Sequence, residues 1–163
     1  MNDKNRLISA DILMPEILNL VNDGHKASFI VTGMSMWPFI CSGRDQVIIE
    51  SCNIYDIHVG DIVLLQTPLC NYLLHRVTNI KKDSFETTGD GNCFRDGYFT
   101  YECLKARVTE LIRKNRTINC NSLYWKFIFR IWMVLFPFRN ILLKLLRFIS
   151  RIKHKINNEL SKR

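Results

Sequence analysis

The chain has 163 residues, 47% of them hydrophobic, which excludes a disordered polymer and is enough for one domain with a real core plus an extension. Its formal net charge of +8 is unevenly spread: residues 1–121 hold 13 Lys/Arg against 14 Asp/Glu, a net of −1, whereas residues 122–163 hold 10 against Glu159 alone, a net of +9. The near-neutral body argues against a nucleic-acid footprint there, and the six cysteines (Cys41, Cys52, Cys70, Cys93, Cys103 and Cys120) form no Cys-x-x-Cys pair and have no histidine cluster beside them, which argues against a zinc site.

At the N-terminus, residues 1–25 are expected to form an amphipathic helix packed on the domain. Leu7, Ile8, Leu13, Ile17, Leu18 and Val21 fall at helical spacing over 7–23, and Gly24 can stop the helix. Asp11, Glu16 and Asp23 interrupt it, so it cannot span a bilayer. No cleavable signal peptide is visible, so the thiols are expected to be mostly free and partly buried, in a reducing compartment.

Residues 26–121 read as mainly β. Strands are predicted at Ser28–Thr32, Gln46–Glu50, Asp61–Gln66, Tyr72–Ile80, Ser84–Thr88 and Leu104–Leu111, separated by turn-rich segments such as Cys41-Ser42-Gly43 and Thr67-Pro68-Leu69. Lys81-Lys82-Asp83 predicts a hairpin, and Asp90-Gly91-Asn92 reads as a turn on composition alone.

Residues 122–163 form a basic, aromatic-rich tail. The longest uncharged run within its apolar segment, Ile131 to Phe138, has eight residues, short of the ~20 needed for a bilayer span. Pro137 suits the opening of a second helix. On that helix Lys144, Arg147, Arg151 and Lys155 follow one face, and Ile141, Leu142, Leu145, Ile149, Ile152 and Ile156 the other. Such a pattern predicts an interfacial anchor on an anionic membrane surface. Packing of the apolar face on the β domain or on a partner helix is the alternative.

The candidate chemistry begins at Gly33-Met34-Ser35-Met36-Trp37-Pro38. A serine leaving a strand at a sharp bend can project its hydroxyl into a cleft, although most serines near Gly and Pro are turn residues. His75 lies in the apolar segment Tyr72–Ile80, with Asp90 and Asp96 downstream. A lone strand histidine is usually packed or exposed without function. Together, however, serine, histidine and aspartate are the parts of an activated hydroxyl nucleophile. A free imidazole is mostly neutral at pH 7, as a base must be. Arg76, next along the strand, is expected on the opposite face in a structural role. Cys41 lacks the positive surroundings that a reactive thiol needs.

The hexad resembles the G-x-S-M-x-P nucleophile box of the signal peptidase I and LexA-like serine peptidases. Further boxes follow in that family's order between about Ser28 and Val108. Gly43-Arg44-Asp45-Gln46-Val47 resembles a Gly-Asp strand lead-in with Arg44 inserted. Gly60-Asp61-Ile62-Val63 is similar to the G-D-I-V strand. His75-Arg76-Val77 resembles the H-R-V box of the endoplasmic-reticulum and archaeal signal peptidases, and Thr88-Gly89-Asp90-Gly91-Asn92 through Asp96 their K-G-D-N-N segment and acidic pair. The resemblance implies a twisted, partly closed β domain with a cleft where substrate adds as an extended strand.

It also implies Ser35 as nucleophile, His75 as general base where the common bacterial enzymes use lysine, and Asp96 as the histidine's partner. Arg95 replaces the first member of the acidic pair, and Asp90 is a second candidate partner. Thr32, Gly33, Met34 and Met36 are expected around substrate and oxyanion. Gly33 stands where many relatives carry a hydroxyl, so the oxyanion hole would rest mainly on the Ser35 N–H, and losing one donor costs on the order of 100-fold or more.

The implied activity is that of a membrane-associated serine endopeptidase that cuts a precursor polypeptide through an acyl-enzyme. It needs no cofactor or metal, has small pockets beside the cut, and is expected at the cytoplasmic face. Two alternatives stay open. One is a LexA-like self-cleaving regulator, disfavoured because position 75 is not lysine and no DNA-binding helical domain fits ahead of the body. The other is a non-catalytic, membrane-bound peptide-binding module.

Overall fold

The computed structural model describes residues 10–160. Leu7, Ile8 and the last three residues of the tail lie outside the described residues. Helix α1 spans Ala10–Asn22. It buries Met14, Ile17, Leu18 and Val21, spaced to form one stripe, and leaves Ile12 and Leu20 exposed. Gly24 ends it with φ +85°, a left-handed turn that costs glycine no Cβ clash.

Eight antiparallel strands follow: β1 Ala27–Ile30, β2 Asp45–Glu50, β3 Ile62–Gln66, β4 Tyr72–Ile80, β5 Ser84–Thr88, β6 Gly97–Thr100, β7 Leu104–Arg113 and β8 Arg116–Asn119. They form one open sheet in the order β1-β2-β7-β3-β4-β5-β6, with β8 added to β7. The long strand β7 carries the junction. Arg107 pairs with both Glu50 of β2 and Val63 of β3, and Glu110 pairs with both Ile48 of β2 and Asn119 of β8. Strand β2 therefore takes one edge of β7, while β3 and β8 share the other.

Side-chain alternation splits the core in two. Ile62 and Leu64 of β3 face the main cluster under α1, with Val47, Ile49, Met36 and Ile40. Val63 and Leu65 face the smaller cluster of Ile57, Val77 and Phe85. The fold is thus mainly β, with an N-terminal helix and a C-terminal helical extension.

The longer strands fall where the alternating apolar pattern predicts them. Two four-residue strands, β6 and β8, have no counterpart in that prediction. Pairing supplies them instead: β6 along β5, and β8 by a hairpin from β7. That hairpin turns through Lys114 and Asn115, both at positive φ (49° and 59°). This is the geometry of a tight two-residue connection, here without the usual glycine. Strand β1 stops at Ile30; the Val31 N–H still reaches the carbonyl of Asp45 (3.1 Å), where β2 begins, and the chain then leaves for the serine segment.

Beyond the sheet, α2 spans Leu123–Val134, a 3-10 turn covers Phe136–Phe138 with Pro137 in its first turn, and α3 spans Arg139–Leu160. Part of this extension packs on the body: Phe129, Trp132, Arg139 and Leu143 are buried, and Phe39 meets Phe129 and Trp132 edge-on at 5.3 and 5.4 Å. The rest keeps large apolar side chains in solvent, among them Phe127, Phe138, Ile141, Leu145, Phe148 and Ile152. No described helix is long and apolar enough to cross a membrane.

Candidate active site

Strand β4 sorts two carboxylates onto two faces. His75 pairs with Val63 and lies on the face of the smaller cluster, while Arg76 pairs with Ile62 and Thr88 and lies on the other. On the first face His75 Nδ1 meets Asp96 Oδ2 at 2.6 Å, with the two side chains only 5% and 9% exposed. The same carboxylate oxygen accepts the Thr87 hydroxyl at 2.7 Å, and the Asp96 N–H donates to the Thr87 carbonyl at 2.9 Å. A carboxylate only accepts, so it fixes the imidazole with Nδ1 as donor and leaves Nε2 as the proton acceptor. A short charge-assisted bond at low exposure suits the stabilisation of an imidazolium.

On the opposite face Asp90 accepts Arg76 Nε at 2.8 Å and Nη2 at 2.6 Å, both side chains being fully buried. The remaining Arg76 nitrogen donates to the Gly60 carbonyl at 2.7 Å, and the guanidinium lies 3.8 Å from the Phe129 ring centroid. Asp90 is therefore corrected from candidate histidine partner to structural ion pair: both of its oxygens are taken on the far side of the strand. Arg95, at the other position of the acidic pair, bonds Glu86 at 2.6 Å.

The serine segment is docked on the turn between β5 and β6. The Gly91 N–H donates to the Ser35 carbonyl at 2.7 Å. A Cβ on Gly89 would lie 2.5 Å from that carbonyl, and one on Gly91 would lie 2.7 Å from the Met34 carbonyl and 2.9 Å from that of Trp37. Both glycines are thus required by close backbone approach. This contact brings half-buried Ser35 to the end of the β4–β5 pair that carries His75. The Ser35 hydroxyl and His75 share no hydrogen bond among the described residues, and nucleophile–base bonds often tighten only when substrate is present.

Around Ser35, Thr32 and Gly33 are exposed, and Met34 is 57% exposed. Met36 is corrected: at 2% exposure it belongs to the main core and its side chain is out of reach of a substrate. Gly33 has φ +87° with open space where a Cβ would stand. Backbone conformation, not crowding, favours glycine there over the hydroxyl residue of the resembled box.

The base of the serine segment is tied by Asp45. Its carboxylate accepts the Cys41 N–H (2.8 Å), Arg44 (2.8 and 2.7 Å) and Arg113 of β7 (3.0 and 3.0 Å), and Arg113 also donates to the Phe39 carbonyl. Burial by itself would raise the Asp45 pKa, but Arg44, Arg113 and the Cys41 N–H together hold it well below the usual carboxylate range. The same arginines correct the expectation for Cys41, whose surroundings are not devoid of positive charge. Burial still outweighs them and pushes that thiol up.

Two further residues hold the 89–92 turn from its other side: Trp132 of α2 and Arg139 of α3. Neither is legible from sequence, where both belong to a stretch that reads only as amphipathic. Thr87 is likewise hidden, since a threonine in a strand carries no signal for a carboxylate nine residues further on.

Among the described residues no three His, Cys, Asp or Glu side chains converge as metal ligands. All six cysteines are free. A cavity of about 260 Å³ between His58–Ile62, Val108 and α2 includes neither Ser35 nor His75. An extended peptide needs an open strand edge more than a closed cavity. No protein-family model matches the chain, and no curated protein matches it.

Proposed function

We propose that the chain is a signal-peptidase-like serine endopeptidase in which Ser35 attacks a peptide carbonyl, His75 takes its proton through Nε2 and Asp96 orients the imidazole. The observation that carries this reading is the nearly buried 2.6 Å bond between His75 and Asp96, beside a serine segment seated on the adjoining turn. The acyl-enzyme forms with loss of the amine, which His75 protonates, and water then releases the acid. Among the described residues strand β1 pairs only with β2, and it leads straight into the Ser35 segment. Its other edge supports docking of an extended substrate. The cationic tail, with its exposed Ile141, Leu145, Phe148 and Ile152, supports placement at an anionic membrane surface.

The test compares wild type, Ser35→Ala and His75→Ala on a library of precursor peptides, with and without anionic liposomes. Cleavage by wild type, its loss in Ser35→Ala, and a fall of at least ~10³-fold in His75→Ala are expected. Equal activity, or equal inactivity, of wild type and Ser35→Ala defeats the reading. Unchanged liposome co-sedimentation of a chain ending at Asn121 removes the anchor.

A further inference from the structure

Arg139 breaks three local rules. It is a cation at the first residue of α3, where the helix dipole disfavours positive charge. It is 1% exposed and makes no salt bridge among the described residues. Its Nε is buried without a hydrogen-bond partner there, and burial lowers its pKa. A buried guanidinium without a bonded carboxylate is costly, and an apolar side chain in its place would be cheaper for packing.

What the guanidinium does hold is specific. Nη1 donates to the carbonyls of Gly89 (3.2 Å) and Asn92 (3.3 Å), and Nη2 to that of Trp132 (3.4 Å). The Trp132 and Phe136 rings lie 5.3 and 4.7 Å from it. Trp132 Nε1 adds a bond to the Asp90 carbonyl at 3.2 Å. Three carbonyls of one turn are thus gripped from α2 and α3, while the fourth residue of that turn, Gly91, points its N–H the other way onto the Ser35 carbonyl.

We infer that Arg139 is a positioning residue: through the 89–92 turn it fixes where the Ser35 segment sits, so the helical extension is a working part of the site. As a statement about rate this rests on the proposed function; as a statement about bracing it does not.

The test uses the full chain with Arg139→Lys, Arg139→Met and Trp132→Phe. It reads kcat and KM on a peptide that wild type cuts, together with amide exchange of Gly91 and, as a reference, of Val47, a fully buried residue of β2 that pairs with Leu111 and lies three strands from β4 in the sheet. In both Arg139 variants kcat is expected to fall by about 10–100-fold with KM within about two-fold, because a displacement of the order of 1 Å costs about 100-fold. Gly91 exchange should quicken about ten-fold while Val47 exchange is unchanged. Unchanged Gly91 exchange in a folded Arg139→Met protein overturns the inference, as does equal acceleration at Gly91 and Val47, which marks general destabilisation. Should the Arg139 variants fail to fold, Trp132→Phe decides: selective quickening at Gly91 supports the brace and its absence refutes it. A wild type that cuts nothing defeats the proposed function, and Gly91 exchange still settles the brace.

Discussion

Substitution of Gly89 by alanine tests whether the serine segment is rigidly seated. Gly89 is not in the left-handed region, so alanine meets no backbone penalty there and the effect is purely steric. The new methyl would stand 2.5 Å from the Ser35 carbonyl oxygen, whereas ordinary contact begins near 3.4 Å, so about 0.9 Å must be found. The neighbouring Asn92 side chain, 2.9 Å away, can swing aside. The Ser35 carbonyl cannot, because it is backbone and is held by Gly91. Shifting the nucleophile segment by that amount costs about 100-fold in rate, or about 2.7 kcal/mol at about 1.36 kcal/mol per tenfold. Overpacking of this kind costs about 1–3 kcal/mol of stability, which leaves an ordinary domain folded. The assay pairs kcat/KM with a thermal melt and Gly91 amide exchange. A Gly89→Ala protein with activity within about three-fold of wild type and an unchanged melt would refute the tight docking on which the site is built.

The two carboxylates should separate cleanly. Asp96→Asn is expected to lower kcat by about 10³–10⁴-fold with little change in urea midpoint, and Asp90→Asn to remove about 3–5 kcal/mol of stability by leaving Arg76 buried and unpaired; the reverse pattern would exchange their roles. Asp45 governs behaviour in acid. Its pKa is lowered on folding, so the stability it contributes is complete above its unfolded value near 3.8 and is lost as pH falls from there through the folded value. Asp45→Asn should therefore lose about 2–3 kcal/mol at pH 7, less than a fully buried pair because Arg44 and Arg113 stay partly hydrated. It should also show a flatter decline below pH 4 in urea titrations at successive pH values; a parallel decline would refute the assignment.

How much of this was legible in the chain depends on the range over which each signal acts. Strand β4 is written in its own alternation, and the alternation also separates His75 from Arg76. The choice between Asp90 and Asp96 is not local: it depends on which face of β4 each carboxylate reaches after the chain turns at Gly89–Asn92. Met36 adjoins Ser35 in sequence, yet the bend after Ser35 sends its side chain into the core. The tail reads as a basic, aromatic-rich pair of amphipathic helices, whereas Trp132 and Arg139 leave that pattern to serve contacts 40 to 50 residues earlier in the chain. Those contacts have no signature in composition or period.

Strand β7 has a consequence in time. The Ser35 segment is anchored by Asp45, whose partner Arg113 is 68 residues further on. During synthesis at about 5–20 residues per second, β2 and Asp45 wait about 3–14 s for the strand that completes them. Ser35, His75 and Asp96 all leave the ribosome before Arg113 does. A growing chain therefore carries Ser35, His75 and Asp96 while still lacking the support that gives Ser35 its place. Assembly of the candidate site is thereby tied to completion of the sheet.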